Sequence, residues 1–290
     1  MLVFSNDKVR LARHFDSDRV LFAYHLGDLD DFYFPYCQWA VSYHQVRAKI
    51  DEVILTYTGG EIPSVIAFGL KENFNDLLEE QLDLLPDKFF AHFFESSRDV
   101  FKKKYKEKKL GTFYKMNLSV SDYSEKSENE KEEFNYMVLG NSHHKQLKTF
   151  YTLAYPQNYY TRRMLETKKY FAKVEKNEIL AVTGIHVYSE KYKIAVLGNI
   201  ATHPEFRNKG FAKKLASLLI KDLSKTVDLI CLNVKADNQP AISCYEKLGF
   251  KKTHEYEESY FELDPSVSIT IESETNKTKD DSLRNYGDRV

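Results

Sequence analysis

The sequence predicts an α/β protein in two parts, and three observations carry that prediction. Strand-like runs rich in β-branched and aromatic residues alternate with amphipathic helical runs along most of the 290 residues. A chain of this length is comfortable as two domains. Between Ser119 and Glu133 the composition shifts to Ser, Glu, Asn and Lys with almost no aliphatics, as in a linker or long loop. The expected organisation is a smaller α/β domain over 1–118, an acidic linker over 119–133, a second α/β domain over 134–264, and a polar, charge-balanced, disordered tail over 265–290.

In the first part, Asp7 to Phe15 and Arg19 to Leu26 read as helices. Glu52 to Tyr57 and Ser64 to Phe68 read as strands around a Gly59-Gly60 turn. Phe74 to Leu85 has helical spacing and stops at Pro86. Lys88 to Phe94 and Thr112 to Leu118 read as strands. In the second part, Phe134 to Leu139 is an expected strand, and Ser142 to Tyr155 and Gln157 to Leu165 are expected helices broken by Pro156. Tyr170 to Val174, Leu180 to Tyr188 and Ile194 to Thr202 read as successive strands. A basic turn and a helix to about Leu223 follow, then a strand over Asp228 to Val234 and a helix over Pro240 to Leu248. Phe250 to Leu263 supplies one or two closing strands.

The formal net charge of -1 gives no global pull toward nucleic acid or an anionic membrane, so any anion site must be local. The Lys102-Lys103-Lys104-Tyr105-Lys106 run reads as the solvated face of a helix rather than a nucleic-acid footprint. Three scattered cysteines, Cys37, Cys231 and Cys244, make neither a disulfide framework nor a zinc spacing, so no metal is expected. Met1 to Phe15 carries four charged residues and lacks the apolar core of a signal peptide, and no uncharged apolar run is long enough for a bilayer. The expected setting is cytoplasmic, without a membrane partner.

The chemistry concentrates between Leu197 and Phe250. Arg207-Asn208-Lys209-Gly210-Phe211-Ala212 forms a basic, glycine-containing turn between a strand and a helix whose Ala212, Leu215, Ala216, Leu219 and Leu223 share one face. Gly210 at the helix start permits a tight turn and close backbone approach by a ligand. The first turn of a helix offers unpaired N–H groups and partial positive charge, and Arg207, Lys209 and Lys213 add full charge beside them. A diphosphate suits such a place. The six-residue string alone is better explained as a solvated basic loop. After the next strand, Asp237 or Asn238 can cap a helix that holds Pro240 in its first turn and stops at Gly249. Tyr245, seven residues after Asn238, is a packed aromatic or a proton donor.

The order strand, basic glycine turn, helix, strand, Asn, Tyr, then Gly249-Phe250 resembles the Gcn5-related N-acetyltransferase (GNAT) family over about Phe134 to Leu263. The resemblance implies a mixed sheet with helices on both faces and acetyl-coenzyme A (acetyl-CoA) as acyl donor. It implies that the backbone amides of Arg207, Asn208, Lys209, Gly210, Phe211 and Ala212 hold the pyrophosphate. Ala212 stands where the family often has a third glycine. It implies that the backbone of Asn199, Ile200, Ala201 and Thr202 meets the pantetheine arm and thioester, that Asn238 contacts the cofactor, and that Tyr245 protonates the leaving thiolate. The first domain, which carries Leu26-Gly27-Asp28-Leu29-Asp30, is similar to that of a two-part FR47-like and glycine N-acyltransferase-like branch. One reading makes it a degenerate copy of the same fold, without the basic turn and so without a cofactor.

The expected activity is acyl transfer from coenzyme A to an amine by direct attack. The acceptor stays open among amino acids, polyamines, other small amines and protein N-termini. The strand before the turn, Ala195 to Ile200, has no titratable group to serve as base. His186 on the preceding strand is the nearest candidate, with an ordinary pKa suited to the task and an equal claim to be a structural histidine. Asp28, Asp30 and Asp31 could hold a cationic amine or merely cap local structure. Cys244 is not needed as a nucleophile in direct transfer. The alternatives are an O-acyltransferase and a non-catalytic acyl-CoA sensor or scaffold.

Overall fold

The computed structural model describes residues 2–44, 49–123 and 134–267. The first half runs β1 (Val3–Phe4), α1 (Lys8–Phe15), α2 (Ala23–Asp28), β2 (Cys37–Tyr43), β3 (Ile50–Tyr57), β4 (Ser64–Ala67), α3 (Phe74–Gln81), β5 (Lys88–Phe93), α4 (Arg98–Lys102) and β6 (Tyr105–Ser119). The second runs β7 (Met137–Val138), α5 (His144–Ala154), β8 (Phe171–Glu175), β9 (Glu178–Ser189), β10 (Ile194–Thr202), α6 (Phe211–Leu223), β11 (Leu229–Lys235), α7 (Gln239–Lys247) and β12 (Lys251–Leu263).

All twelve described strands join one sheet in the order β1-β2-β3-β4-β5-β12-β6-β11-β10-β9-β8-β7. The order is a palindrome in which each half contributes the same succession of strands from its own edge. At the centre the halves exchange their last strands: β12 pairs with β5 (Tyr260↔Phe90), and β6 pairs with β11 (Met116↔Leu232). The pairs β4–β5 and β10–β11 are parallel, each with a helix, α3 or α6, in the crossover, and the other pairs are antiparallel. This is the mixed α/β sheet that the sequence predicts.

Local chemistry accounts for most elements. The Asp7 carboxylate accepts the Val9 and Arg10 amides at 3.1 and 3.0 Å and so caps α1. Helix α6 buries Leu215, Ala216, Leu219 and Leu223 of the predicted stripe, and Ile220 with them, while Ala212 is only half-buried. Its stripe packs with Ile185 and Leu197 of the sheet. Helices α1 and α2 of the first half bury Leu11, Phe15 and Leu26 in a cluster that contains Val187, Ile194 and Val196 of the second half. Arg98 is likewise buried across the seam, where its guanidinium donates to Glu257 of β12 at 2.8 Å.

Several boundaries differ from the sequence reading, for physical reasons. Strand β2 falls where the pattern assigns no element. Residues 155–160 are not helical, and Arg162–Thr167 is a 3-10 turn rather than part of a helix over Gln157 to Leu165. Side chains have captured the amides that such a helix would use: Asn199 Oδ1 accepts from Tyr159 N at 3.1 Å, and Asn158 Oδ1 from Tyr160 N at 3.1 Å. Only Met137 and Val138 of the expected strand at 134–139 pair. Strand β6 is twice the expected length because both β11 and β12 pair with it. The basic run at 102–106 is where α4 ends and β6 begins, and Lys104 and Lys106 are ion-paired to Asp83 and Asp264. Residues 124–133 of the expected linker and 268–290 of the expected tail lie outside the described residues.

Candidate active site

The site starts where β10 and β11 separate. Their parallel pairing ends at Leu197↔Leu232, although β10 continues to Thr202 and β11 to Lys235. Strand β11 stays paired with β6 as far as Lys235↔Phe113 and no longer with β10. The edge of β10 from Gly198 to Thr202 therefore faces a widening gap, with backbone donors and acceptors not paired to β11. A ligand carrying amide groups of its own could satisfy them.

Two compensating bulges shape this stretch. Between Val196↔Val187 and Leu197↔Ile185, β9 carries one extra residue, His186. Between Gly198↔Gly184 and Ala201↔Val182, β10 carries one extra residue, so Asn199 and Ile200 leave the β9 register. Asn199 takes φ +54, a region that Asn tolerates better than most residues. It is buried, and its Nδ2 donates to the Tyr170 hydroxyl at 2.8 Å while its own carbonyl accepts from the Tyr151 hydroxyl at 2.6 Å. Its side chain thus holds the bulge and the 155–160 segment together, a role beyond the backbone contact that the resemblance implies.

The basic turn follows β10 directly. Asn208 and Gly210 adopt positive φ, +62 and +76, and Gly210 stands at the N-cap of α6. The first described bond of this helix runs from the Lys214 amide to the Gly210 carbonyl at 3.0 Å, so the amides before it sit ahead of the ladder. A Cβ on Gly210 would meet no described protein atom within 4 Å, so the space beside it is open. Arg207, Lys209 and Gly210 are exposed there, with Lys209 over the Phe206 ring at 4.7 Å. Helix dipole and cations act together at this place.

In the first half, the loop between β4 and α3 is built differently. There the Leu70 amide donates to both oxygens of buried Glu52, at 3.2 and 3.3 Å. In that loop an amide is already satisfied by the chain's own carboxylate.

Helix α7 brings the remaining predicted residues. Asn238 is exposed, and its Oδ1 accepts the Ala241 amide at 3.3 Å, so its contact within the protein is the helix cap. Tyr245 and Ile200 both pack on the core of the second half. The Tyr245 hydroxyl has no hydrogen-bond partner among the described residues, and burial holds it well above the usual phenol range, so it is a neutral O–H donor. Burial also raises the Cys244 thiol, which disfavours the thiolate.

His186, the bulged residue, lies against Gly198, and a Cβ at position 198 would fall inside its ring. Burial lowers His186 to about 4, and its Nδ1 is buried without a partner. The imidazole is neutral at pH 7, with an acceptor available.

Sequence reasoning missed the groups that the first half delivers to the mouth of the gap. The Tyr24 hydroxyl of α2 accepts from Asn233 Nδ2 at 3.3 Å, one residue past the last β10–β11 pair. The Tyr24 ring lies 6.2 Å from His186 and 5.9 Å from His92 of β5. Beside them, Lys115 of β6 is buried over the rings of Phe68, Tyr256 and Tyr24 at 4.7, 5.1 and 5.4 Å. The only signal in the sequence was polar residues in otherwise apolar strands, which does not say which strands meet.

Residues 139–250 match the model of the acetyltransferase (GNAT) family. A 59-residue stretch is 41% identical to the [ribosomal protein bS18]-alanine N-acetyltransferase of Escherichia coli K12, covering 20% of this chain and 40% of that protein. The chain spans only 30 to 40% of the length of the curated relatives that it matches. Among solved structures, a Drosophila protein superposes with a TM-score of 0.70 at 12% identity, covering 91% of this chain and 98% of that one. A tandem GNAT protein from the clavulanic acid biosynthesis pathway superposes with a TM-score of 0.57 at 12% identity, covering 91% and 99%. The fold is the GNAT acetyltransferase fold, extended over most of the chain.

Proposed function

We propose that this chain, a protein of GNAT fold, is an acetyl-CoA-dependent N-acetyltransferase that transfers an acyl group to a primary amine by direct attack. The second part, 134–264, carries the donor site, and the first part, 1–118, shapes the acceptor side. The finer placement, in the two-part FR47-like and glycine N-acyltransferase-like branch, belongs to the same proposal and is supported by the palindromic strand order.

The observation that carries the reading is the gap between β10 and β11 leading straight into an open, cationic helix N-terminus. In this reading Asn199 to Thr202 bind the pantetheine amides and the turn from Arg207 to Ala212 holds the pyrophosphate, with Asn238 at the cofactor's edge. The Ile200 amide, released from the β9 register by the bulge, stabilises the oxyanion that forms on the thioester carbonyl. His186 receives the amine proton, and Tyr245 gives its own to the departing sulfur. The acceptor ranges over amino acids, polyamines, small amines and protein N-termini. The named bacterial relative acts on an alanine of a ribosomal protein, which supports an amine acceptor without naming this one.

The test is calorimetric binding of acetyl-CoA, followed by thiol release across an amine panel with wild type and Tyr245→Phe. Micromolar binding, amine-dependent release and a slowed Tyr245→Phe variant are expected. Absence of binding would overturn the donor site, and binding without release on any acceptor would favour a sensor.

A further inference from the structure

His186 sits well to take a proton and poorly to keep one, because its buried ring disfavours the charged form. A second group should relieve it. The gap between β10 and β11 opens on its other side onto the first half, where β12 has been exchanged into the centre of the sheet. Glu258 lies on this strand, opposite His92 of β5 and Gly111 of β6. Its side chain is 17% exposed.

Polar groups are spaced between the gap and this carboxylate. Asn233 follows the last β10–β11 pair and reaches both the Tyr24 hydroxyl and the Tyr256 hydroxyl. Tyr256 donates to Glu258 Oε1 at 2.5 Å. His92 Nε2 lies 3.7 Å from the same oxygen, its ring stacked on Tyr256 at 5.5 Å. Tyr24 lies between His92 and His186. Three strands and one helix therefore bring polar groups around one carboxylate: among the described residues, His92 is its sole charged-type neighbour within 4 Å, and burial lowers that ring to about 3, so it is neutral at pH 7.

We propose that Glu258 is the terminal proton acceptor of the transfer reaction, contributed by the exchanged strand of the second half and positioned by His92, Tyr256 and Tyr24. The inference rests on the acetyltransferase reading. The balance is simple. The amine nitrogen bonds to the thioester carbon, the carbon–sulfur bond breaks, and Tyr245 protonates the sulfur. The proton lost by nitrogen passes by way of His186 to the Glu258 carboxylate, and solvent returns one proton to Tyr245 as Glu258 releases one. The groups facing Glu258 are His92, Lys115, Tyr256, Tyr24 and Tyr155. Burial raises Glu258 to about 7, with Tyr256 and Lys115 pulling the other way, so it can both accept and release a proton near neutrality.

The experiment measures thiol release from acetyl-CoA by wild type, Glu258→Gln, Glu258→Asp and Glu258→Ala. The acceptor is the fastest of glycine, spermidine and a short Ala-initiated peptide. Glu258→Gln should lose roughly 10²–10⁴-fold in kcat with acetyl-CoA affinity unchanged. The wild-type acid limb near pH 7 should vanish in it. Glu258→Asp should regain part of the rate, and formate should partly rescue Glu258→Ala, which a merely structural carboxylate would not allow. A Glu258→Gln enzyme with wild-type rate and pH profile would overturn the base while leaving the acetyltransferase reading intact. If Glu258→Gln does not fold, the formate rescue and the Asp variant decide, and no rescue in a folded Glu258→Ala overturns it. Wild type releasing thiol with none of the three acceptors would overturn the reading and the inference together.

Discussion

The His186 imidazole lies directly on the Cα of Gly198, in the space that any side chain at position 198 would need. The bulge that turns His186 out of the β9 register and the missing side chain on β10 are complementary features. Together they bring a ring nitrogen to the strand edge where the sheet opens.

Gly198→Ala should therefore displace the imidazole without touching the basic turn. Its expected effect is a fall of at least about tenfold in kcat, on the scale of a mispositioned acid–base group, with acetyl-CoA affinity within about twofold of wild type. Steady-state kinetics paired with calorimetry separates the two. Equal losses in affinity and rate would mean that residue 198 acts through cofactor binding instead.

The open space before Gly210 makes a different forecast. Gly210→Glu meets no protein atom near its Cβ, so its structural cost is confined to the positive φ, about 1–2 kcal/mol. The new carboxylate should weaken acetyl-CoA binding at least about tenfold, whereas Gly210→Ala should weaken it far less. Titration calorimetry on both variants checks the difference, and a comparable loss in the two would point to backbone strain rather than charge.

At the seam, α2 packs so closely on β9 that a Cβ on Gly27 would overlap the Val187 side chain. Gly27→Ala should destabilise the protein by about 1–3 kcal/mol, the usual cost of overpacking. A second change, Val187→Ala, should recover part of that loss, because it removes the atoms that clash. Chemical denaturation of the single and double variants measures the coupling.

Stability should fall in mild acid. Burial lowers His14 and His186 to about 4, His92 to about 3, and His25 well below the usual range. Below pH 6.5 the unfolded chain binds protons at these four sites that the folded protein refuses, so each subtracts stability as pH drops toward its folded value. Glu52 and Glu258, raised to about 7, and Asp28, raised well above the usual carboxylate range by burial, work in the opposite sense as pH falls toward their unfolded values, where the folded state holds the extra proton. The four histidines outnumber these three carboxylates, so thermal melts should show a decline from pH 6.5 that steepens below pH 4.5, where Glu52 and Glu258 no longer compensate. A flat melting temperature from pH 7 to 4 would contradict the buried, neutral state of these rings.

The donor side of the site was legible because its determinants are close in sequence. Strand, turn, Gly210 and the α6 stripe lie within 30 residues, and a cap and a C-terminal stop likewise mark α7. His186 could be named as a candidate but not placed, since nothing local announces the bulge that turns it toward Gly198. The 155–160 segment was misjudged for a related reason. Asn199, some 40 residues away, takes the Tyr159 amide that a helix would have used.

The sequence by itself determined the element types, the basic turn at a helix start, and a tyrosine one helix beyond it, because periodicity, capping and glycine conformations act over a few residues. Only the tertiary structure decided that the two halves share one sheet and exchange their last strands. That exchange sets Glu258 against His92, across more than 160 residues of chain. Pairing between strands so far apart depends on which edges and faces remain to be covered once each half has collapsed, and no local pattern records that.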